Sequence, residues 1–197
     1  MTTTDSQRSV AIFWHWFEEN EQALFTFEMD QDRTFARLGA AMEAVHRNLT
    51  FEFGPVTMGR REFVISADGL KDAFPFVHAL ADAAPLLPRW IIVRFRPRRE
   101  PGEIRIGPTT IRSADVSIVP EALDGKVGLQ VLIAGYQSTP NSLFEQIGFL
   151  LLDQVLGEFD VETKLGYIEI GARPRTIPAN AISLEELPAL VDRLAVT

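Results

Sequence analysis

Apolar residues recur at helical spacing near the start of the chain and then switch to strict alternation. Over residues 8–28, Val10, Phe13, Trp14, Phe17 and Leu24 stand three, four or seven apart, the spacing that lines one face of a helix. Ile12, Trp16 and Phe27 add a second apolar edge, which predicts a helix covered on more than one side. Residues 33–48 predict a second helix, with Phe35, Leu38, Met42, Val45 and Leu49 on one stripe. The short polar link 29–32 makes the two helices antiparallel neighbours. The period then becomes two. Residues 49–53 and 62–66 read as strands, joined by 54–59 as a hairpin loop. Asp68-Gly69 ends the second strand as a turn. A third helix is expected over 72–84, where Pro75 fits only the first turn, and 90–96 reads as the next strand. This strand–helix–strand order makes the strands 62–66 and 90–96 parallel or nearly so.

Residues 103–136 look all-β. Strands 116–120 and 127–133 flank Asp124-Gly125, a strong hairpin signal because both positions tolerate positive φ. Thr139-Pro140 opens a helix to about Leu156, and Gly157 stops it. Residues 167–170 form a short strand. Ser183-Leu-Glu-Glu186 is a capping box that starts a final amphipathic helix through Leu194. No internal repeat, low-complexity tract or linker marks a boundary. The order of elements predicts an α+β fold with a mixed, mainly antiparallel sheet and helices packed on it. It is read as a single domain over 1–197, with residues 1–8 expected to be flexible.

Composition narrows the chemistry. The hydrophobic fraction of 46% and charged fraction of 23% are those of a globular protein. A domain of this length buries roughly 70% of its extended-chain surface and needs no covalent staple. With no cysteine, disulfides, thiolate nucleophiles, iron–sulfur clusters and cysteine zinc sites are excluded. The N-terminus lacks the basic-then-apolar order of a signal peptide. The greasiest stretch, 143–156, is short and interrupted by Glu145, Gln146, Asp153 and Gln154, so no membrane span is expected. The resulting expectation is a cytoplasmic protein. A net charge of -8 argues against nucleic acid, whose phosphates demand a broad basic surface. No Gly-x-Gly-x-x-Gly, P-loop or Gly-x-Ser-x-Gly turn occurs, and no cofactor is implied.

Against that acidic background, the run Trp90-Ile-Ile-Val-Arg94-Phe-Arg96-Pro-Arg98-Arg99 reverses the sign locally. As one strand it has a dry face of Ile91, Val93 and Phe95 and an opposite face of Trp90, Ile92, Arg94 and Arg96. Arg94 and Arg96, with Arg98 beyond them, match a phosphate or carboxylate bidentately, and Trp90 would stack on a base or sugar. The competing reading is a cross-strand ladder, in which Glu52 and Glu62 neutralise the arginines. Arg99, and Arg60 with Arg61 in the hairpin loop, are expected to be solvated. Ser138 and Thr139 lie where a strand ends and a helix begins, a place that favours anions; capping by Thr139 is the plainer role.

Other candidates are weaker. Phe13, Trp14 and Phe17 belong to a core, while Trp16 lies off the main stripe and would cover a sheet or touch another subunit. Glu43-Ala-Val-His46 has the Glu-x-x-His spacing of di-iron bundles, and His15 with Glu19 would add ligands, but a single such motif on two helices falls short of those bundles, and no metal site is assigned. His78 sits beside the apolar stripe of the third helix, and Asp68 in ordinary turn chemistry; either would be an acid–base group in an enzyme.

Trp14-His-Trp16-Phe17 with Asn20, Glu62-Phe-Val-Ile-Ser-Ala-Asp-Gly69, Ala84-Pro85 with Trp90, and Phe95-Arg-Pro-Arg98 together resemble an uncharacterised bacterial family of unknown function. The resemblance covers most of residues 10–170 and implies a bacterial cytoplasmic α+β domain with no established activity. The leading expectation is a non-enzymatic binding domain for a small anionic ligand or a protein partner. Its site would comprise Trp90, Arg94, Arg96, Ser138 and Thr139. The alternative is an enzyme of unrecognised type using Asp68, His78 or Glu62, and a homodimer is a third reading.

Overall fold

The structure is a computed structural model that describes residues 3–137 and 143–194. The fold class is α+β, with six helices and eight strands in three mostly antiparallel sheets and no closed barrel among the described residues. The chain divides into two compact units, Met1–Arg96 and Pro97–Thr197.

The first unit begins with helix α1, Thr3–Phe25, which starts earlier than the apolar spacing alone requires. Helix α2 spans Gln31–Glu43 and ends before the expected 48, although Val45 and Leu49 still pack into the core. Strand β1, Thr50–Thr57, continues through residues expected to be loop. The hairpin turn is only Met58 and Gly59, both at positive φ (51° and 75°), the geometry that follows the natural twist of paired strands. Gly54 and Pro55 are absorbed by a shift in register between Phe53 and Val56. Strand β2 is Arg60–Ser66, helix α3 is Phe74–Asp82, and β3 is Trp90–Arg94. The sheet order is β1-β2-β3, antiparallel and then parallel, which matches the strand–helix–strand reading. Its core holds the buried rings of Phe13, Trp14, Phe17, Phe63, Phe74, Trp90 and Phe95 among aliphatic side chains such as Leu38, Ile65 and Leu80.

The faces of β3 are a correction. The dry side carries Trp90 and Ile92, which pack into the core, while Ile91 is 38% exposed. Phe95 then enters that core by leaving the strand conformation: its φ is +60°, unusual for a bulky residue and costing about 1–3 kcal/mol. Ring contact with Phe74 at 4.6 Å and an N–H bond to Ile65 O at 2.8 Å hold it there.

The second unit opens with a small hairpin, β4 Glu103–Ile106 and β5 Thr109–Arg112. Strands β6 Val116–Leu123 and β7 Lys126–Ile133 follow, joined at Asp124-Gly125 as expected. Helix α4 is Leu143–Leu156; Gly157, at φ +75°, ends it, and a short helix α5, Glu158–Lys164, begins at once. Strand β8, Leu165–Ala172, is longer than the expected 167–170. Glu186 accepts the Ser183 N–H at 2.9 Å, as the capping box requires, and α6 runs Leu187–Leu194. The three-stranded sheet has the order β6-β7-β8, again antiparallel and then parallel. Both units thus run from a β-hairpin through helix to a third, parallel strand, with one α-helix in the first crossover and two in the second, although the sequence shows no repeat. Here the buried core is aliphatic, with Ile118, Leu129, Val131, Ile133, Ile147 and Leu151 at its centre.

Candidate functional site

Two places in the first unit gather the residues that carry chemistry. The first lies at the carboxyl ends of β2 and β3. Asp68 follows β2 in the left-handed region (φ 50°), and Arg96 follows the inverted Phe95. The Arg96 guanidinium donates to Glu52 on β1 at 2.5 Å and to Asp68 at 2.9 Å. Burial opposes its charge, but the bonds to Asp68 and Glu52 outweigh that effect, so its pKa lies above the usual arginine value. Arg94 instead pairs with Asp82 on α3. The turn at Phe95 therefore separates two guanidiniums expected side by side, and each is neutralised by carboxylates. Glu52 plays the ladder role that the sequence suggested.

Trp90 is 2% exposed, ringed by Phe17, Phe25, Phe53 and Phe63, and donates its Nε1–H to Glu21 at 3.2 Å. No face is left for stacking a ligand. Arg98 belongs to the second unit, where Asp160 and Asp192 bind it. Ser138 and Thr139 lie outside the described residues. Of the acid–base candidates, Asp68 is held by Arg96 and His78 stands edge-on to Phe95 at 5.2 Å. Glu62 stays on β2, its side chain against Gly54.

Arg61 corrects another expectation. It is buried rather than solvated, with its guanidinium over Phe27 at 4.5 Å and Phe25 at 5.6 Å and a 2.5 Å bond to Glu28. That bond holds Glu28 below the usual carboxylate range. Arg61 Nε is buried without a hydrogen-bond partner. Arg89 covers Phe25 at 4.3 Å and ties to Glu21 and Gln22.

The second place is a shallow recess between α1 and α2, lined by Trp16, Asn20, Ala23, Leu24, Thr34 and Arg37, of about 170 Å³ with open solvent included. Arg37 lies 5.8 Å from the centre of the Trp16 ring and donates to Asn20 Oδ1 at 2.7 Å. Asn20 in turn donates to Trp16 O at 2.7 Å, so three residues fix one another. Exposed Ile12 stands one turn before Trp16 on α1. Sequence reasoning singled out Trp16 but missed Arg37, whose role depends on α2 lying beside α1.

Among the described residues no group of three or more His, Asp or Glu side chains converges as a metal site. His15 pairs with Glu19 at 3.4 Å on the exposed side of α1, and His46 stacks on Phe76 at 4.4 Å. No described helix is long and apolar enough to cross a membrane. No family model matches this chain, and neither a curated protein nor a solved structure matches it.

Proposed function

We propose that this chain is a non-enzymatic binding domain whose partner is a protein, engaged at the recess between α1 and α2. The observation that carries the reading is the Trp16–Arg37 pair. Tryptophan and arginine are the residue types that dominate binding energy at protein interfaces, and Asn20 holds these two ready at low entropic cost. The shape of the recess favours a protein over a small molecule. Small-molecule sites are enclosed clefts of roughly 300–1,000 Å³, whereas this recess is shallow, its volume of about 170 Å³ counts open solvent, and it offers a contact surface rather than an enclosed site. Arg37 gives it a preference for a carboxylate or the face of an aromatic ring.

A small anion at Arg94 and Arg96 is less favoured, because it would have to displace Asp82, Glu52 and Asp68 from guanidiniums they already satisfy. Two measurements test the reading. Thermal unfolding with phosphate, nucleotides and dicarboxylates is expected to stay flat. An anion at 100 times its dissociation constant would add about 2.7 kcal/mol, a rise of roughly 5–10 °C for a chain of this length. Such a rise, abolished by Arg96→Ala, would overturn the reading. In the second, a protein retained by the immobilised chain is expected to be lost with both Trp16→Ala and Arg37→Ala while each variant keeps the circular dichroism of the unaltered chain. Retention undiminished by both variants would also overturn it.

A further inference from the structure

Every sheet edge among the described residues is irregular, bridged or very short, except one. Edge strand β1 carries Pro55 and an irregular register, both of which disrupt a regular ladder. Edge strand β3 is five residues long and is cut off by the inverted Phe95. Edge strand β6 is bridged by Ile182, through Ile118 N–H to Ile182 O at 2.9 Å and the reciprocal bond at 2.8 Å. The β4 and β5 strands have four residues each. Strand β8 has eight residues, no proline, and an irregularity only at its start, where Val127 and Gly128 face it.

The orientation of its backbone follows from one bond. Arg173 donates its N–H to Ile133 O of β7 at 3.0 Å. Backbone groups alternate in direction along a strand, so the N–H and C=O of Ile168, Ile170 and Ala172 point away from β7. Among the described residues no backbone group bonds to them, and Ala172 is exposed.

We propose that β8 is a strand-addition edge and that its partner is β8 of a second copy of this chain, antiparallel about Ile170. Only residues with outward backbone groups pair by hydrogen bonds across such a junction. That rule matches Ile170 with the second copy's Ile170, and Ile168 with its Ala172, using every outward group from 168 to 172. The side chains agree with this register. Tyr167 falls opposite the second copy's Arg173, and Glu169, opposite Gly171, has that arginine and the second copy's Glu169 as its diagonal neighbours, so two symmetric pairs of opposite charge outnumber one diagonal carboxylate pair. Centring the pair on Glu169 would set two carboxylates face to face, a repulsive arrangement. The result is a continuous six-stranded sheet across the dimer, made from two three-stranded ones. This surface is separate from the Trp16 recess and does not rest on it.

Sedimentation velocity over a concentration series tests the proposal. The unaltered chain is expected to show a species of twice its 22.0 kDa mass. Ala172→Pro removes an outward N–H without touching a bond to β7 and is expected to give a monomer with unchanged circular dichroism. Glu169→Arg is expected to weaken association about tenfold, and adding Arg173→Glu to it is expected to restore the dimer, which ties the junction to the Glu169–Arg173 contact even if the proline variant folds poorly. Amide exchange at Ile168, Ile170 and Ala172 should slow as concentration rises. A monomer up to about 1 mM, or a dimer that survives both Ala172→Pro and Glu169→Arg, overturns the proposal. So does a dimer abolished by Trp16→Ala and untouched by Ala172→Pro, since that places self-association on α1 and α2.

Discussion

The two units share a hairpin–helix–strand path, with one α-helix in the first crossover and two in the second, and sheets of the same order, yet fill their cores with different chemistry. In Met1–Arg96 the buried centre is aromatic, with Phe13, Trp14, Phe17, Phe63 and Trp90 in mutual ring contact. In Pro97–Thr197 every buried core residue is aliphatic. The difference shows in how each handles charge. Ring faces carry negative potential, so the first unit tolerates Arg61 beneath Phe25 and Phe27 with one donor unpaired. Branched aliphatic side chains offer a guanidinium nothing. The second unit accordingly keeps Arg98, Lys164, Asp160 and Asp192 in a partly exposed network. Its buried Glu158 sits in the first turn of α5. A shared path of strands and helix therefore specifies neither core composition nor where charge can be placed.

The strongest way to break this comparison is to remove a ring. Phe63 stacks on Phe13 and meets Trp14, Phe17, Phe53 and Trp90, so Phe63→Ala is expected to cost about 3–5 kcal/mol. Leu129→Ala, at the equivalent central strand of the other sheet, is expected to cost about 2–5 kcal/mol. The chain supplies its own reporters, because Trp14, Trp16 and Trp90 all lie in the first unit and Tyr136 and Tyr167 in the second. Urea unfolding followed by both signals would show whether each substitution moves one transition or both. Coincident shifts for both variants would mean that the two cores unfold as one body.

A smaller effect sharpens the picture of the second sheet. A Cβ at Gly128 would stand 2.2 Å from the Tyr167 ring, so glycine on β7 is what lets that ring lie on the strand. Gly128→Ala is expected to cost about 1–3 kcal/mol, read as a drop in denaturation midpoint. A neutral result would mean that the ring moves aside freely.

The smallest expected effect concerns the charge network. Bonds from Arg98 and then Lys164 hold the Asp192 carboxyl well below the usual carboxylate range. A folded-state pKa below the unfolded value, near 3.8, contributes stability above that value and loses it as pH falls through the folded one. Half of the Asp192 side chain is exposed, so solvent screening limits the gain to roughly 0.5–1 kcal/mol. Asp192→Asn is expected to cost that amount at neutral pH and to flatten the decline of stability below about pH 4. Equal acid sensitivity in the two proteins would remove Asp192 from the account.

Much of the fold was legible in the residues. Three-and-four spacing at Val10, Phe13, Trp14 and Phe17 placed α1, alternation at Val127, Leu129, Val131 and Ile133 placed β7, and Asp124-Gly125 placed the turn between β6 and β7. The β1–β2 loop was drawn too long, because glycine and proline are breakers in isolation and only the pairing shows that a register shift absorbs them. Helix α5 was missed because Gly157 reads as a stop and seven residues are too few to show a period. The arginine face was misassigned: Trp90 and Ile92, drawn on it, turn into the core instead of Ile91 and Val93, and Phe95 buries its ring only by abandoning the alternation.

The sequence by itself determined the fold class, the run of elements and the exclusion of cysteine chemistry, because periodicity and composition are local properties of the chain. Tertiary structure decided which carboxylates meet Arg94 and Arg96, that Arg61 lies beneath two rings, and that Arg37 covers Trp16. Those outcomes depend on which distant segments meet, and a charged side chain carries no mark of its partner until the backbone brings that partner within reach.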